Sequence, residues 1–398
     1  MVSVEEATSI ILSHTFTPSI EKIALTNAYG RILAQSIEAD RDFPPFDRVS
    51  MDGIAINFDA YQKGTRSFAI SGIQPAGKPQ STLTGLFECF EVMTGAMLPQ
   101  GTDTVVRYED LEIKNRIADI TVNEVERGQH IHFKGMDAKE KNTILSPGLK
   151  ISPAEVALLA AVGKSQVAVY ASPKIAIIST GDELVDIDDK PLTHQIRRSN
   201  SYALQSALKE LGLTSTLFHV TDQKEILQQS LSEILAQHEL ILLSGGVSKG
   251  KFDFVPAVLE LLGIKKLFHG VNQKPGKPFW FGESDKHTVF ALPGNPVSTY
   301  MCFYRFIKPW IQKNYGIDHS FPQAILAEKF SFKPHLTYFL QVKVKNESGK
   351  LCAYPRAGGG SGDFANLKEV DGFLELPAAQ QNFKANEVYS FIPFRSLL

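Results

Sequence analysis

Hydrophobic and polar residues follow different patterns in successive parts of the chain, and each pattern predicts a different kind of structure. Residues 3–14 and 152–162 have apolar residues at helical spacing. Residues 66–133 alternate apolar and polar residues in short stretches separated by glycine, proline and asparagine, which is typical of a small β domain. Residues 174–310 contain continuous apolar runs that alternate with helices, which predicts an α/β domain, and residues 323–398 return to short strands.

The predicted helices carry start signals. Ser3 is followed three residues later by Glu6, the spacing of a capping box, and Ser152 precedes a proline at the first turn of the second helix. The first helix of the α/β domain is expected to be capped by Ser199 or Asn200. The second helix should pack back against the N-terminal segment, which makes the small β domain an insertion.

These patterns predict a multidomain protein of α/β and β parts. Residues 1–45 and 146–172 form an elongated N-terminal α/β segment, and 46–145 form the inserted β domain. Residues 173–315 form a doubly wound α/β domain, and 316–398 form a C-terminal, barrel-like β domain. The α/β domain is where a ligand crevice is expected, because open parallel sheets bind ligands outside the carboxyl ends of their strands.

An apolar strand followed at once by a turn of small or acidic residues occurs three times in the α/β domain. The three segments are KIAIISTGDEL at 174–184, ELILLSGGVSKGKFD at 239–253 and TVFALPGNPVS at 288–298. Parallel strands release their loops at the same edge of a sheet. The three loops are therefore expected to line one crevice.

The second loop has the residues of an anion site. Gly245 and Gly246 allow close backbone approach and can present N–H groups to a ligand, while Ser244 and Ser248 add hydroxyl groups. A tight turn is the alternative for two glycines after a strand, but the serines and the companion loops favour a phosphate site. Asp253 follows at the start of the next predicted helix, where it holds a metal ion or caps that helix.

The first loop places two acids directly after a strand. Asp182 and Glu183 follow Thr180 and Gly181, so one acid could ligate Mg²⁺ or accept hydrogen bonds from the amino groups of a heterocycle. Solvated turn acids are the alternative.

The third loop joins a strand to an amphipathic helix whose N-terminus offers N–H groups and a positive dipole end to a phosphate. Its stiff or small residues are Pro293, Gly294, Asn295 and Pro296. A rigid, capped turn is the alternative. Just before it, the KPGKP segment places Lys274 and Lys277 on a stiff turn. Such a pair suits a compact tetrahedral oxyanion, unless the two lysines are simply solvated.

The N-terminal half contains a further unusual segment, FPPFDRVSMDGIAI at 43–56. Asp47 and Asp52 lie there among apolar residues that should dock the loop, so both acids are expected to have partners. A turn with ordinary caps is the alternative. Thr94 lies among glycines and prolines, and Asp137 follows a lysine and a glycine.

Composition narrows the classes of function. Lys plus Arg total 41 against 43 Asp plus Glu, a formal net charge of -2, so no overall basic field favours nucleic acid. Cys89, Cys302 and Cys352 are widely spaced, which fits a reducing compartment and argues against a disulfide framework or a zinc site. The sequence has neither a secretory signal nor a stretch of membrane-spanning length, so we expect a soluble, cytoplasmic protein.

Six motifs occur in a fixed order over nearly the whole chain: FPPFDRVSMDG, MTGAMLP, STGDEL, SGGVSKGKFD, KPGKP and LPGNPVS. Together they resemble the MoeA family of molybdopterin molybdenumtransferases, whose eukaryotic relatives include the gephyrin E domain. The resemblance implies an elongated, four-domain architecture with a molybdopterin-binding α/β domain. It also implies a homodimer in which the α/β domain of one subunit faces the inserted β domain of the other.

The same resemblance implies a reaction, the insertion of molybdate into adenylated molybdopterin with Mg²⁺ as cofactor and release of AMP. A molybdopterin adenylyltransferase and molybdoenzymes are the implied partners. Catalytic roles are expected for Asp52, Thr94, Asp137, Glu183 and Asp253, and metal binding for Glu183 and Asp253. Cofactor-binding and substrate-binding roles are expected for Thr180, Gly181, Asp182, Asp222, Ser244, Gly245, Gly246, Ser248, Lys274, Lys277, Pro293, Gly294, Asn295, Pro296 and Ser361.

Two other functions stay open at this point. Single-domain cousins with a similar α/β core adenylate molybdopterin, but they lack the MDG half that this chain has. A non-catalytic scaffold that stores or delivers molybdopterin is the second alternative. The sequence does not separate molybdate from tungstate, because the two oxyanions are nearly equal in size and charge.

Overall fold

The computed structural model describes residues 1–248, 253–356 and 358–395. Three six-stranded sheets organise this part of the chain, one in the N-terminal half, one in the centre and one mainly in the C-terminal region. Residues 249–252, in the middle of the SGGVSKGKFD motif, lie outside the described residues. Among the residues described, every helix is too short or too polar to cross a membrane.

The N-terminal region precedes the central sheet. Its helices and strands are α1 (Val4–Ser13), β1 (Ile20–Ala24), β2 (Ile37–Glu38), β3 (Arg48–Val49), β4 (Gly53–Ile56), α2 (Phe58–Gln62), β5 (Ser67–Gln74), β6 (Glu88–Val92), β7 (Thr104–Arg107), β8 (Leu111–Lys114), β9 (Ile117–Ile120), β10 (Ile131–His132), β11 (Thr143–Leu145), α3 (Pro153–Ala161) and β12 (Gln166–Tyr170). Short 3₁₀ turns occur at Leu25–Asn27 and Tyr108–Asp110.

Strand pairing shows where the first sheet lies in the chain. Its order is β7-β4-β6-β5-β9-β8. Outside it, β1 pairs with β12 and β2 pairs with β11, both antiparallel, so the chain returns to the same place after the sheet. A small core that includes Leu33, Ile37, Leu145 and Leu159 joins these flanking segments. The sheet is therefore inserted into the N-terminal segment.

The start signals of the first two long helices are confirmed. Ser3 accepts a hydrogen bond from the main-chain N–H of Glu6, whose carboxylate accepts one from Ser3 in return. Ser152 and Glu155 form the same reciprocal capping box at α3, with a proline at its first turn. Both ends satisfy N–H groups that would otherwise lack partners.

The segment at 43–56 is not a loop throughout, contrary to the interpretation from its sequence. Its last residues form β4, a fully buried strand between β7 and β6 in the middle of the inserted sheet. A Cβ atom on Gly53 would lie 1.9 Å from the carbonyl oxygen of Val106. The glycine of the MDG motif is therefore required by the close approach of β7. All four residues of this strand are buried, so the sequence lacks the alternation of apolar and polar residues that identifies a half-buried strand. For this reason the strand was not predicted.

The central region forms the α/β part. Its elements are β13 (Ile175–Thr180), β14 (Leu184–Val185), β15 (Ile196–Arg197), α4 (Asn200–Glu210), β16 (Thr216–Val220), α5 (Lys224–Leu235), β17 (Leu240–Ser244), α6 (Val255–Leu261), β18 (Lys265–His269), β19 (Gln273–Lys274), β20 (Trp280–Glu283), β21 (Thr288–Leu292) and α7 (Pro296–Cys302), which continues through a π-helical turn (Phe303–Ile307) into α8 (Lys308–Asn314).

The central sheet is doubly wound, as predicted. Its order is β16-β13-β17-β21-β20-β18, and the first four strands are parallel. Alternate residues of β13 face different cores: Ile177 packs in one cluster and Ile178 in another. Ser199, one of the two residues predicted to cap α4, occupies the N-cap position, but its side chain makes no capping hydrogen bond to the helix.

The C-terminal region returns to strands. They are β22 (Gln323–Leu326), β23 (Phe330–Ser331), β24 (Thr337–Glu347), β25 (Lys350–Pro355), β26 (Gly372–Leu376), β27 (Asn382–Phe383) and β28 (Val388–Pro393), with a 3₁₀ segment at Phe364–Glu369. The third sheet has the order β19-β24-β25-β22-β28-β26, and an additional pairing of β24 with β26 closes it into a barrel-like form. Strand β19, from the central region, joins this sheet through β24.

Candidate active site

The carboxyl ends of β13, β17 and β21 form one edge of the central sheet. Ser179 is in register with Ser244, and Ser244 with Leu292, so the three following loops leave the sheet side by side. They line a cavity of about 970 Å³, which is the crevice expected from the parallel topology. The expected site residues that line it are Thr180, Glu183, Asp222, Ser244, Gly245, Gly246, Ser248, Asp253, Pro293, Gly294, Asn295 and Pro296.

The two glycines after β17 are required by the close approach of the end of the neighbouring strand β13. Gly245 and Gly246 have φ of 102° and 65°, a region that favours glycine. A Cβ atom on Gly245 would lie 2.6 Å from the carbonyl oxygen of Thr180, and one on Gly246 would lie 2.9 Å from the Thr180 hydroxyl oxygen. That hydroxyl is buried and has no hydrogen-bond partner among the described residues. Larger residues here would push the two loops apart and deform the crevice.

The third loop is held by the C-terminal domain. The amide of Asn295 donates to the Ser361 hydroxyl at 2.8 Å, and the main-chain N–H of Val297 donates to the Ser361 carbonyl oxygen at 3.1 Å. Helix α7 begins at Pro296 without a side-chain cap. One of the N–H groups expected to be open at this helix N-terminus is therefore already paired within the protein.

A second cavity of about 460 Å³ shares a wall with the first. Both are lined by Ser248, Pro293, Gly294 and Asn295. The smaller cavity is also lined by Lys274, Lys277 and Ser361. Both lysines are exposed residues, and the ammonium nitrogen of Lys274 lies 5.6 Å from the ring centre of Phe332. A basic chamber thus adjoins the loops of the larger crevice.

Carboxylates gather at one side of the larger cavity. The main-chain N–H of Asp222 donates to Asp182 at 3.1 Å. Partial burial, followed by the negative charges of Asp182, Glu183 and Asp253, raises the pKa of Asp222. Like charges at close range disfavour ionisation. A cation or a hydrogen-bond donor bound here would therefore stabilise the cluster.

The donor atoms of this cluster fit Mg²⁺ in kind. Mg²⁺ prefers oxygen ligands and is usually bound through one or two carboxylates together with phosphate oxygens and water. Within the described ranges, no group of three or more His, Cys, Asp or Glu is arranged to hold a metal ion. Glu183 and Asp253, which line the same cavity, therefore suit a metal ion shared with a phosphate ligand better than a closed structural site.

Asp52 and Thr94 form a hydrogen-bonded pair in the inserted domain. Asp52 accepts from the Thr94 main-chain N–H at 2.6 Å and from its hydroxyl at 2.7 Å. These bonds, the main-chain one first, lower the pKa of Asp52. Asp47 accepts from the main-chain N–H of Lys134 at 2.8 Å. Both acids of the FPPFDRVSMDG segment have partners, as predicted.

Asp137 is held by a histidine that the sequence did not single out. His132 Nε2 lies 2.8 Å from an Asp137 carboxylate oxygen, and its Nδ1 lies 3.0 Å from an Arg48 guanidinium nitrogen. A guanidinium only donates, so Nδ1 must accept and the ring proton sits on Nε2, which donates to Asp137. The pairing of β3 with β10 places His132 opposite Arg48.

The remaining expected residues do not all meet in the crevice. Asp52, Thr94 and Asp137 line neither of the two cavities formed by the described residues of a single chain. Asp182 lines a separate opening of about 610 Å³, which it shares with Asp222. The carbonyl oxygen of Gly181 accepts from His219 at 3.0 Å, so this glycine braces the turn between two strands.

Several residues that line the larger cavity were not predicted for the site, among them Arg197, Arg198 and Asn200. The Asn200 amide donates to the Ser244 hydroxyl at 2.8 Å and to the Gly294 carbonyl oxygen at 2.7 Å, which ties two of the three loops together. The two adjacent arginines in QIRRSN were the available signal, but basic residues before a helix are usually solvated.

Family models match three successive parts of the chain. The MoeA N-terminal region (domain I and II) matches residues 2–163, a probable molybdopterin binding domain matches 176–313, and the MoeA C-terminal region (domain IV) matches 323–394. Together the three matches cover almost all of the sequence in the order predicted from its motifs.

Whole-length relatives agree with these matches. A Synechocystis protein named molybdopterin molybdenumtransferase is 41% identical over 98% of this chain and 99% of its own length. A Bacillus subtilis protein of the same name is 29% identical over 99% and 94%. A crystal structure described as a molybdopterin biosynthesis MoeA protein from Pyrococcus horikoshii is 26% identical, covers 99% of this chain and 100% of its own, and superposes with a TM-score of 0.85. The predicted multidomain fold is confirmed.

Proposed function

The chain belongs to the MoeA family of molybdopterin molybdenumtransferases, and from this premise we propose that it inserts molybdate into adenylated molybdopterin and releases AMP with the help of Mg²⁺. One observation carries the proposal: a large crevice with acidic residues shares a wall with a smaller, lysine-lined chamber. The larger space is of the size that a nucleotide-linked ligand needs. The smaller one suits a compact dianion.

Lys274 and Lys277 are the proposed molybdate ligands. Ammonium groups offset the charge of a tetrahedral dianion, and the Ser361 and Asn295 side chains line the same chamber as further polar groups. The sulfur ligands of molybdenum come from the pterin itself, so the protein needs no cysteine at this place. The shared wall at Pro293, Gly294 and Asn295 would bring the bound oxyanion next to the pterin.

Glu183 and Asp253 are the proposed Mg²⁺ ligands, with Asp222 beside them. Mg²⁺ held by these carboxylates would supply positive charge that offsets the charge of the phosphate groups at the link that is cleaved. The raised pKa of Asp222 supports this assignment, because burial and then the neighbouring carboxylates disfavour its charged form, which a bound cation would stabilise. The role of these residues is to present carboxylate oxygens to the metal ion at the edge of the sheet.

A homodimer with a shared site is part of the proposal. Asp52, Thr94 and Asp137 would then complete the crevice of the other subunit. Large apolar side chains close to them in the sequence are exposed, namely Met51 at 37%, Phe133 at 46% and Met136 at 70%. Contiguous exposed apolar side chains are typical of an interaction surface, and we assign these three to the proposed dimer interface.

The chemistry also sets the proposed surroundings of the enzyme. Its substrate must come from an enzyme that adenylates molybdopterin, and its product must pass to apoproteins of molybdoenzymes. We place these steps in the cytoplasm, a reducing compartment in which the three unpaired thiols, Cys89, Cys302 and Cys352, remain stable.

The test is AMP release by the purified protein from adenylated molybdopterin and Mg²⁺, with and without molybdate. Molybdate-dependent release is expected. A Lys274→Ala/Lys277→Ala variant should need a higher molybdate concentration for half-maximal release, while Lys209→Ala, on the last turn of α4, should not. Turnover of ATP with unmodified molybdopterin would favour an adenylyltransferase instead. Tight binding without release would favour a scaffold.

A further inference from the structure

The larger cavity is lined by residues of both charges. Glu183, Asp222 and Asp253 are acidic, whereas Arg197 and Arg198 are basic. The arginines come from the end of β15 and the turn before α4. A phosphorylated ligand would be repelled by the acidic residues alone. The two arginines provide the opposite charge within the same cavity.

Arg198 is the better buried of the two arginines and has hydrogen-bonding capacity to spare. Its side chain is 10% exposed, and one guanidinium nitrogen pairs with Asp186, whose side chain is 46% exposed. Asp186 is fixed in turn by the Tyr202 hydroxyl at 3.0 Å and the Ile187 main-chain N–H at 2.6 Å. Arg198 Nε is buried and has no partner among the described residues. An unpaired buried donor is unfavourable, so a ligand oxygen that engages it stabilises the complex.

The N-terminus of α4 is a second, independent feature beside these arginines. The helix has 11 residues, all of them described, with no acidic residue in its first turn and no side-chain cap. Ser199 and Asn200 line the cavity, and the Asn200 amide is directed to Ser244 and Gly294 instead of the helix. The positive end of the helix dipole is thus open next to Arg198.

We propose that Arg198, with Arg197 and the N-terminus of α4, forms a subsite for phosphate oxygens, separate from the oxyanion chamber of Lys274 and Lys277. The inference rests on the proposed function, because it assumes a phosphorylated substrate in the crevice. A turn of the guanidinium toward the cavity presents its two-pronged edge, whose geometry matches phosphate. The phosphate belongs either to the nucleotide or to the pterin.

Calorimetric titration distinguishes these cases. Wild-type protein, Arg198→Gln, Arg198→Lys and the surface control Lys209→Gln are titrated with AMP, with unmodified molybdopterin and with molybdate. We expect Arg198→Gln to bind AMP, molybdopterin or both about 10- to 100-fold more weakly, with Arg198→Lys in between. Molybdate affinity should stay unchanged in every variant. Weakening confined to AMP assigns the subsite to the nucleotide phosphate, and weakening confined to molybdopterin assigns it to the pterin phosphate.

Folding is checked by circular dichroism and melting. If Arg198→Gln is unstable because Asp186 loses its partner, Asp186→Asn/Arg198→Gln removes the remaining charge and is titrated in its place. Unchanged affinity for both AMP and molybdopterin in a folded variant overturns the subsite and leaves the proposed function intact. Equal weakening of molybdate binding overturns its separation from the lysine chamber. A wild-type protein that binds neither phosphorylated ligand overturns the inference and the proposed function together.

Discussion

The carboxylates of the inserted domain and those of the crevice have opposite surroundings. Asp52 accepts two hydrogen bonds from Thr94, and its pKa is lowered. Asp222 is partly buried near three other carboxylates, and its pKa is raised. Groups whose surroundings push their pKa values apart are suited to different roles. Asp52 is held as an anion in a fixed position, whereas burial and neighbouring carboxylates disfavour the anion of Asp222, so a bound cation would stabilise it.

The difference shows that the carboxylates of the two regions are stabilised in different ways. In the inserted domain, the protein itself supplies the partners: Thr94 for Asp52, and His132 for Asp137. In the crevice, we expect a bound ligand or metal ion to offset part of the negative charge of the carboxylates. Mutations in the inserted domain should therefore displace the catalytic carboxylates. Mutations in the crevice should change ligand affinity and the stability of the folded protein in opposite directions.

The largest effect is expected when one acid is removed from each region. Asp52→Ala and Glu183→Ala should both fold but lose about 100-fold or more in molybdate-dependent AMP release, the loss typical of one positioned electrostatic group. Circular dichroism checks the fold. Asp59→Ala, which removes an exposed acid of the inserted domain paired with Arg127, is the matched control and should keep full turnover.

Mixing these two inactive variants sharpens the comparison. If the regions meet across a dimer, a mixed dimer pairs an intact Asp52 with an intact Glu183 in one of its two sites, so part of the activity returns. Full turnover in either single variant would contradict the role assigned to that residue. An inactive mixture that contains mixed dimers would contradict the shared site.

A smaller effect is expected from His132, which acts on Asp137 as a positioning residue. His132→Ala removes the donor that fixes Asp137, and the loss of one such hydrogen bond should lower turnover about tenfold. His132→Gln keeps a donor nitrogen and should restore part of it, with the Michaelis constant for molybdate unchanged. Equal turnover in all three proteins would show that Asp137 does not depend on this contact.

The smallest effect concerns stability, and its sign should differ between the regions. Because the folded-state pKa of Asp222 is raised, the unfolded chain loses this proton first, and the folded state is penalised at higher pH. Asp222→Asn should therefore raise the melting temperature at pH 7 by about 1–3 °C. The gain should vanish below about pH 4, where the group is protonated in both states.

Asp52 should behave in the opposite way. Its lowered pKa contributes stability above the ordinary range of aspartate, and this contribution is lost as the pH falls through the folded-state value. Asp52→Asn should therefore lower the melting temperature at pH 7 and approach the wild type in acid. Melting-temperature shifts of the same sign in Asp222→Asn and Asp52→Asn at pH 7 would contradict the opposite surroundings assigned to these two carboxylates.

The sequence predicted best what depends on neighbouring residues. The capping box at Ser3, the cap at Ser152 and the three strand-to-loop motifs follow from short-range rules, and they are present. The position of Asp52 and Asp47 among apolar residues in the sequence also predicted that they have partners, and both have them. Six motifs in order, more than any single one, predicted the family.

What the sequence missed depends on residues that are far apart in the chain. Asn200 looks like a helix cap, but it is the first residue of α4, and its amide donates to Ser244 and Gly294, which the sheet brings near. His132 has no local feature of interest until the pairing of β3 and β10 sets it opposite Arg48. Which residues are partners across the sheet cannot be read from spacing alone.

Strand β19 has a consequence for how this protein can be recombined. It lies in the chain between two strands of the central sheet, yet it pairs with β24, so Gln273 and Lys274 are in register with Thr337 and Tyr338. The C-terminal domain is therefore not an exchangeable module. A chimera that takes this domain from one relative and the rest from another would bring together strands selected for different partners. Successful crossovers should move β19 and β24 as a single inherited unit.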